Sequence, residues 1–440
     1  MPRLLLIQPT QYGVDGKLCK QRRIYLPGLV FPLLAAMAPK HWNIDVKLEV
    51  VDDIDFDADV DLVGIGAMGY AIYRGVEIAK EFRKRGKLTF MGGYMASLVP
   101  QEVLKHADSV VIGDAERSFP ALLADYERDG KLKPIYDMPV DDLDGLPVPR
   151  YDYLTRKPIG TMLPVQAGRG CPHRCSFCSI ACIYKGRYMA RPVDDVMRDI
   201  HAVRALGYKS FYLLDDNIVS NPRFLEELGR RIAPLRMTWA SQCSLRLARS
   251  SRLLDLVAKS GCNMMSFGIE SITQEGLDRL NKAWVRVDEH EELLGRIQEA
   301  GILPSTEMIL GTDGDTEESI RETAAFIERA RIPIPRFYIL TPMPGTELYD
   351  QMKRDGRLLT EDHRRYNGSE CVHRPEKIAP ERLTELYWWL YRKVFSRRSI
   401  LRRTVLNPWF ARRPQLGLFS LAVNLHYRKY VMKRVPPNIF

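Results

Sequence analysis

Long apolar runs are missing from this 440-residue sequence. The longest one near the N-terminus, GLVFPLLAAMA at 28–38, falls short of the roughly 18 apolar residues that span a bilayer. The first residues, MPRLLLIQPT, hold too few apolar side chains for the core of a signal peptide. We therefore expect no transmembrane segment and a cytoplasmic location, where cysteines stay reduced and bind metal more often than they form disulfides.

Acidic residues are scarce near the C-terminus. Residues 381–440 contain thirteen Lys and Arg but only two carboxylates, Glu381 and Glu385, whereas the rest of the chain is nearly balanced in charge. A basic tail of this kind suits nucleic acid, an anionic membrane surface or an acidic substrate. Internal repeats and low-complexity tracts are also lacking, apart from a strand and helix alternation described next.

Short apolar runs alternate with helical patterns over residues 1–133. Runs such as LLLIQP and DLVGIGAM are typical of parallel strands buried on both faces, so the pattern predicts a doubly wound, Rossmann-like domain. Several glycines follow the predicted strands, including the pair Gly92 and Gly93. At the carboxyl edge of such a sheet they either let a ligand approach the backbone or form tight turns.

A stretch rich in Pro and Asp, residues 134–160, predicts a surface linker. A second series of strands and helices follows over 161–350, with helices expected at 193–206, 222–233, 251–260, 287–300 and 316–330. With one strand before the first helix, this makes about six parallel strands and predicts a partial (β/α)6 barrel. Residues 351–440 are expected to form a mainly helical extension, so the fold class is α/β.

Four of the eight cysteines lie in one short segment, RGCPHRCSFCSIAC at 169–182. Three of them, Cys171, Cys175 and Cys178, have the spacing C-x3-C-x2-C, which can place three thiolates on three irons of a 4Fe-4S cluster. Alternatively Cys182 or His173 adds a fourth ligand and closes a zinc site or an electron-transfer cluster. The spacing alone leaves both interpretations open.

The cysteine loop and the strand and helix units after it resemble the radical S-adenosylmethionine (SAM) superfamily, over about 155–350. The resemblance implies that Cys171, Cys175 and Cys178 bind the cluster and that the fourth iron is left open for SAM. It implies that Phe177 lies beside the adenine and that Cys182 is a bystander. It further implies an enzyme that cleaves SAM to a deoxyadenosyl radical with an electron from a donor such as flavodoxin or ferredoxin.

Weaker matches follow at the ends of later strands. In relatives, Asp215 and Asp216 of FYLLDDNI lie near the amino group of SAM, although here they could instead cap the next helix. Arg246, Glu270 and Ser271 match positions that contact the ribose and carboxylate of SAM, or else Arg246 and Glu270 form an internal salt bridge. The last strand, YILTPMPGT, resembles the adenine pocket. Its two candidate residues are Tyr338 and Leu340.

The N-terminal domain resembles the cobalamin-binding domain of a radical SAM class that acts on hopanoids and tetrapyrroles and includes the magnesium-protoporphyrin ester cyclase group. The motif Asp-x-His-x-x-Gly, which supplies a histidine to cobalt elsewhere, is absent. By this resemblance Gly92 and Gly93 approach a corrin or its nucleotide tail. We expect cobalamin-dependent methyl transfer to an unactivated carbon of a hydrophobic metabolite. Cobalamin-independent oxidation, cyclisation or carbon–carbon coupling is the alternative, and a non-catalytic metal or electron-transfer protein is a third.

The C-terminal extension adds two expectations. By the same resemblance, the loop RRYNGSECVH folds over the barrel mouth, where Tyr366 and Cys371 contact substrate or donate hydrogen, unless it is a plain surface loop. Beyond it, aromatic residues interleave with arginines, which suits peripheral contact with a membrane better than binding of nucleic acid, and nucleic acid is not expected as a partner. The residues concerned are Trp388, Trp389, Phe395, Trp409, Phe410, Arg397, Arg398, Arg402, Arg403, Arg412 and Arg413.

Overall fold

A computed structural model describes residues 1–13 and 16–437, without the side chains of Phe410 and Arg412. Two compact units are distinguished within it. The first comprises residues 1–166 and 194–209, and the second comprises residues 167–193 and 210–437. The first unit therefore extends past the predicted domain boundary and through the predicted linker, and the C-terminal extension groups with the second unit.

Fourteen strands are formed within the described residues. In chain order they are β1 (Arg3–Gln8), β2 (Asn43–Leu48), β3 (Leu62–Gly66), β4 (Leu88–Gly92), β5 (Ser109–Ile112), β6 (Ile135–Asp137), β7 (Met162–Gln166), β8 (Gly168–Gly170), β9 (Tyr188–Ala190), β10 (Ser210–Leu214), β11 (Thr238–Cys243), β12 (Cys262–Glu270), β13 (Leu303–Leu310) and β14 (Ile334–Ile339).

Eighteen α-helices accompany them in the part of the chain that the structure describes. They are α1 (Val30–Met37), α2 (Ile72–Lys84), α3 (Tyr94–Leu98), α4 (Pro100–Leu104), α5 (Ala115–Asp129), α6 (Asp152–Thr155), α7 (Ser179–Tyr184), α8 (Val193–Ala205), α9 (Pro222–Ile232), α10 (Ser251–Lys259), α11 (Gln274–Arg279), α12 (His290–Glu299), α13 (Glu317–Arg329), α14 (Glu347–Arg354), α15 (Pro380–Val394), α16 (Arg397–Arg403), α17 (Pro408–Arg412) and α18 (Pro414–Val431).

The first unit is built on a parallel sheet with strand order β2-β1-β3-β4-β5-β6. Its central strands are buried apolar runs, as the sequence predicts for a sheet covered on both faces. Residues 135–137, predicted as part of a linker, form the edge strand β6 against β5. The strand order reverses between β1 and β3, so the ligand position of this fold lies at the carboxyl ends of those two strands.

The second sheet has six strands in the order β14-β13-β12-β11-β10-β7. Strands β10 to β14 pair in parallel with their sequence neighbours, and helices separate them along the chain, as in a partial (β/α)6 barrel. A short antiparallel pair, β8 and β9, brackets the cysteine loop and helix α7. The polar residues that follow β10, β11 and β12 therefore share one edge of the sheet.

The C-terminal helices pack against the outside of the last two strand and helix units. Helix α15 packs on α13 and β14, and Tyr391 donates its hydroxyl to the Phe337 carbonyl at 3.0 Å. The rings of Trp388, Phe395 and Trp409 are buried, and Trp389 stacks on Arg321. The expectation that these rings face a membrane is therefore wrong for the three buried ones. The side chains of Phe410 and Arg412 lie outside the described residues.

No helix in the described part of the chain combines the length and the hydropathy needed to cross a bilayer.

Candidate active site

The cysteine loop joins β8 to α7, and the charges of three of its thiols affect one another's pKa. Cys171, Cys175 and Cys178 are each partly buried. Burial raises the pKa of Cys175 to about 12, and charge on Cys178 and Cys171 acts in the same direction. Burial, and then charge on Cys171, raises the pKa of Cys178 to about 11. The three thiols therefore lie within electrostatic reach of each other, and a bound metal would take the place of their protons.

Cys182 faces a different set of charges. It lies on α7, and its pKa is raised by burial and by the carboxylates of Glu347 and Asp350 at the start of α14. None of the other three loop cysteines is among these causes. The fourth cysteine is thus directed toward α14, which favours the three-ligand interpretation over a closed site.

Within residues 1–13 and 16–437, no three His, Cys, Asp or Glu side chains are close enough to hold a single metal ion. The thiolates that hold a cubane 4Fe-4S cluster need not lie as close together as the ligands of a single ion, because each thiolate binds a separate iron. Three neighbouring thiols on one short loop, each a soft donor, suit iron–sulfur ligation. The donor set therefore fits a 4Fe-4S cluster held by Cys171, Cys175 and Cys178.

Hydrogen bonds from main-chain and side-chain groups hold the loop in place. Ser176 donates its N–H to the Leu280 carbonyl at 3.2 Å and accepts from the Leu348 N–H at 3.1 Å. The Asn281 amide donates to the Arg174 carbonyl at 2.6 Å, and the Asn217 amide lies 3.7 Å from the Cys171 sulfur. The segment after α11 and the start of α14 therefore fix the backbone that carries the cysteines.

His173, the other candidate fourth ligand, stacks on an aromatic ring. Its imidazole lies 3.6 Å from the ring of Trp284, centroid to centroid, with the planes 8° apart. Burial lowers the pKa of His173 to about 4, and the cations Arg246 and Lys282 act in the same direction. The ring is therefore neutral at neutral pH and packs as an aromatic side chain.

A buried ion pair lies beneath the loop. Lys282 Nζ donates to Glu270 Oε1 at 2.7 Å and to the Gly268 carbonyl at 2.8 Å, and both charged side chains are about nine-tenths or more buried. Lys282 is close enough to Cys175 to lower the pKa of that thiol, against the larger effect of burial. The ammonium thus offsets part of the negative charge that three thiolates would bring.

Lys282 is a site residue that the sequence analysis missed. The alternative partner considered for Glu270, Arg246, is exposed and forms no ion pair among the described residues, so the internal salt bridge between them is absent there. Glu270 has a φ of +63°, a left-handed conformation that costs a non-glycine residue about 1 kcal/mol or more. The turn at the end of β12 brings its carboxylate to Lys282.

The two aspartates after β10 are both engaged. Asp215 accepts from the Tyr188 hydroxyl and from the Asn217 N–H, each at 2.8 Å, while Asp216 accepts from the Gly170 N–H at 2.6 Å. The helix cap considered as their alternative role belongs to Asn221, which accepts from the N–H of Phe224. These carboxylates therefore tie the end of β10 to the β8–β9 hairpin around the cysteine loop.

A pH-dependent stability follows from the burial of Asp215, which raises its pKa to about 7. The native state then holds this proton more tightly than the unfolded chain, so the contribution of Asp215 to stability falls as the pH rises from about 4 to about 7. We expect Asp215→Asn to gain stability relative to the wild type between pH 5 and pH 8, on the order of 2–3 kcal/mol. Urea denaturation of both proteins at the two pH values measures this change. A difference in unfolding free energy between the two proteins that is the same at both pH values would contradict this prediction.

Other predicted SAM contacts are distributed around the same sheet edge. Phe177 packs against the buried cluster that contains Leu340, so these two predicted adenine neighbours lie together. The ring of Tyr338 is partly exposed and lies beside Gly368. The Ser271 hydroxyl is 3.1 Å from that of Thr273 in the turn before α11.

The predicted C-terminal contacts are buried. The Tyr366 hydroxyl donates to the Thr360 carbonyl at 2.8 Å, and its ring packs with Tyr349 and Val372. The Cys371 thiol donates to the His373 carbonyl at 3.1 Å, and burial raises its pKa to about 11. Both side chains are thus satisfied by local partners, and their role toward a substrate stays a prediction.

In the first unit, Gly93 lies at the carboxyl end of β4 with a φ of +102°. A Cβ there would meet the Ala67 carbonyl oxygen at 2.3 Å, so the close approach of two backbones requires glycine. At the switch point itself, Tyr12 follows β1 and Met68 follows β3. Both side chains are exposed, and the Tyr12 hydroxyl donates to the Glu77 carboxylate. A ligand with an apolar face would fit this edge of the sheet. Gly92 and Gly93 lie at the same edge.

The middle of the chain matches a known family. Residues 165–327 match the model described as the Radical SAM superfamily. The chain is 28% identical over 92% of its length to bacteriochlorophyllide d C-12(1)-methyltransferase of Chlorobaculum tepidum, and covers 91% of that protein. It is 23% identical over 78% of its length to the hopanoid C-2 methylase of Rhodopseudomonas palustris, covering 67% of it. The anaerobic magnesium-protoporphyrin IX monomethyl ester cyclase of Cereibacter sphaeroides is 25% identical over 81% of this chain, which covers 63% of the cyclase.

Two solved structures share the fold over both units. The radical SAM methyltransferase TsrM from Kitasatospora setae, solved with cobalamin and a [4Fe-4S] cluster, gives a TM-score of 0.67 at 18% identity, covering 81% of this chain and 75% of TsrM. The cobalamin-dependent enzyme OxsB, solved with aqua-cobalamin and SAM, gives 0.69 at 12% identity, covering 98% of this chain and 73% of OxsB. These likenesses establish the architecture predicted from the sequence.

Proposed function

Since this chain carries a radical SAM domain at residues 165–327 and is a radical SAM enzyme, we propose that it methylates an unactivated carbon of a hydrophobic metabolite with the help of cobalamin. The observation that carries the methyl-transfer assignment is the match to the bacteriochlorophyllide d C-12(1)-methyltransferase over 92% of the chain, which spans both units. Three neighbouring thiols in the loop, with Cys182 beside the start of α14, support this proposal.

Cys171, Cys175 and Cys178 would hold the 4Fe-4S cluster. When bound, the cluster supplies the electron that breaks a sulfur–carbon bond of SAM. The protein's own part is to place SAM and to exclude water. We assign the ammonium of SAM to the carboxylates of Asp215 and Asp216, which already face the loop.

The remaining SAM contacts follow from the same edge of the sheet. We assign Arg246, which is exposed and has no ion pair among the described residues, to the carboxylate of SAM. Glu270 and Ser271 are assigned to the ribose hydroxyls. The adenine is assigned to Phe177 and Leu340, which belong to the same apolar cluster, and to Tyr338.

The cobalamin assignment rests on the first unit. The carboxyl edge near Gly92 and Gly93 presents exposed Tyr12 and Met68, which suit the apolar face of a large planar ring. When bound, cobalamin supplies the methyl group. His41 and His106, two of the three histidines of this unit, precede β2 and β5 and so lie at the opposite, amino edge, and His201 is on α8. We therefore propose that cobalamin binds without a histidine ligand to cobalt.

Reconstitution with hydroxocobalamin tests this assignment. A corrin absorption band near one equivalent per chain is expected, and after reduction the electron paramagnetic resonance spectrum should lack nitrogen splitting from a histidine ligand. His41→Ala and His106→Ala should bind cobalamin as the wild type does, whereas Met68→Asp should bind about tenfold more weakly because it puts a charge on the apolar edge. Absence of a corrin band would contradict the proposal and favour cyclisation or coupling.

The substrate class is proposed from the relatives. A tetrapyrrole is the first candidate, because the bacteriochlorophyllide methyltransferase covers more of this chain than the hopanoid methylase does. Both compounds are large, apolar ring systems. The proposal also includes an external one-electron donor such as flavodoxin or ferredoxin, and peripheral association with a membrane. Tyr366 and Cys371 are retained as proposed substrate-side residues.

A further inference from the structure

The last long helix of the second unit, α18, has its apolar face turned outward. The residues it buries include small and polar ones, Gly417, Ser420 and Asn424, together with Tyr427. The residues it exposes include Leu418, Phe419 and Leu425, which are 58%, 46% and 51% exposed. A surface helix of a water-soluble protein normally has the reverse arrangement.

Buried hydrogen bonds determine which face of α18 points inward. Asn424 donates to the Pro333 carbonyl at 2.7 Å and accepts from the buried guanidinium of Arg403 at 2.9 Å. Arg403 also donates to the carbonyls of Ile332 and Val394. Since these buried polar groups are satisfied by one another, α18 cannot rotate to bury its leucines without leaving them unpaired.

The neighbouring helix α16 extends the apolar surface. Leu401 and Leu406, at and just beyond the end of α16, are exposed, and Met432 is exposed at the end of α18. Helices α16 and α18 pack against each other. Together these side chains form an outer surface, defined here as the α16/α18 face by Leu401, Leu406, Leu418, Phe419, Leu425 and Met432, that a protein in water rarely leaves bare.

Charge identifies what covers this face. Residues 386–440 contain twelve Lys and Arg and no Asp or Glu. Several of these cations are exposed on the same helices or just beyond the end of α18. They form no ion pair among the described residues and are Arg397, Arg398, Lys429, Lys433 and Arg434. Pairing two copies of this face would bring like charges together, whereas an anionic surface would neutralise them. Exposed apolar side chains and unpaired cations on the same helices are typical of a helix that lies in the interface of an anionic bilayer.

We propose that the α16/α18 face binds the surface of an anionic lipid bilayer, an inference that rests on the membrane association proposed above and names the residues responsible. They are the leucines, one phenylalanine and one methionine that lie on α16 and α18 or just beyond their ends. Trp388, Tyr387 and Tyr391 of α15 are buried inside the protein.

Vesicle flotation of the full chain, purified without oxygen and carrying its cluster, tests this proposal. The wild type should float with vesicles of phosphatidylcholine and phosphatidylglycerol about tenfold more than with phosphatidylcholine alone. The triple variant Leu418→Ser, Phe419→Ser, Leu425→Ser should bind the anionic vesicles at least about tenfold more weakly. The control variant Val148→Ser, Leu206→Ser, Leu359→Ser removes three exposed apolar side chains elsewhere and should float as the wild type does.

Three results would overturn the proposal. They are failure of the wild type to float with anionic vesicles, equal flotation of the triple variant, and a wild-type dimer that the triple variant converts to monomer without any binding to vesicles. Circular dichroism of the triple variant establishes that it is folded. SAM cleavage in the same samples separates the proposals, since intact cleavage with no flotation would remove the membrane surface and leave the enzyme assignment standing.

Discussion

Cys178→Ala is expected to abolish the formation of deoxyadenosine from SAM. Each of the three loop cysteines would bind a different iron, so loss of one thiolate should leave the cluster without a stable site. We expect iron and sulfide contents near zero after anaerobic reconstitution and no cleavage above the background of the assay. The measurement is chromatographic quantitation of deoxyadenosine with dithionite as the reductant.

Cys182→Ala is the matched control, because it removes a thiol from the same loop only four residues away. This thiol is turned toward Glu347 and Asp350, so the variant should keep its iron and at least half of the wild-type cleavage rate. If Cys182→Ala lost iron as completely as Cys178→Ala, the open-site interpretation would be wrong and a closed four-ligand cluster would replace it.

Lys282→Met is expected to destabilise the second unit by about 3–5 kcal/mol, because it leaves the Glu270 carboxylate buried without its partner. The double variant Lys282→Met, Glu270→Gln removes both charges and should lose less. Five of the six tryptophans lie in this unit, so the urea midpoint of cluster-free protein, followed by tryptophan fluorescence, reports on it.

The control for this buried ion pair is an ion pair on the protein surface. Arg249 donates to Glu289 at 2.6 Å with both side chains more than a third accessible, so Arg249→Met should cost less than about 1 kcal/mol. If Lys282→Met lost no more unfolding free energy than Arg249→Met, water would have to screen the Lys282 and Glu270 pair, contrary to its burial. Cluster occupancy measured in the same variants separates loss of stability from loss of the metal site.

Much of the second unit could be predicted from local sequence signals. The helix expected at 222–233 forms at Pro222–Ile232, since Asn221 caps its start and apolar residues recur on one face. The helix expected at 316–330 forms at Glu317–Arg329, and Thr316 and Ser319 form a capping box at its start. Strand β6 was missed because three residues at a sheet edge carry no periodic pattern of their own.

The parts that could not be predicted depend on contacts distant in the chain. Lys282 has no local motif, and its role depends on the turn that aims Glu270 at it. The aromatic and basic composition near the C-terminus did not reveal that the rings of Trp388, Phe395 and Trp409 are buried. Which side of α18 is buried is decided by Arg403 and Asn424, whose partners include carbonyls about 70 to 90 residues earlier in the sequence.

Methyl transfer itself is tested most directly by turnover with SAM that carries a deuterated methyl group. Anaerobic protein, reconstituted with the cluster and with cobalamin, is incubated with a reductant and with a bacteriochlorophyllide or a hopanoid, and the product is analysed by mass spectrometry. The account predicts a product that gains one labelled methyl group for each deoxyadenosine formed, and no such product without cobalamin. Deoxyadenosine formed together with an altered but unlabelled product would contradict methyl transfer.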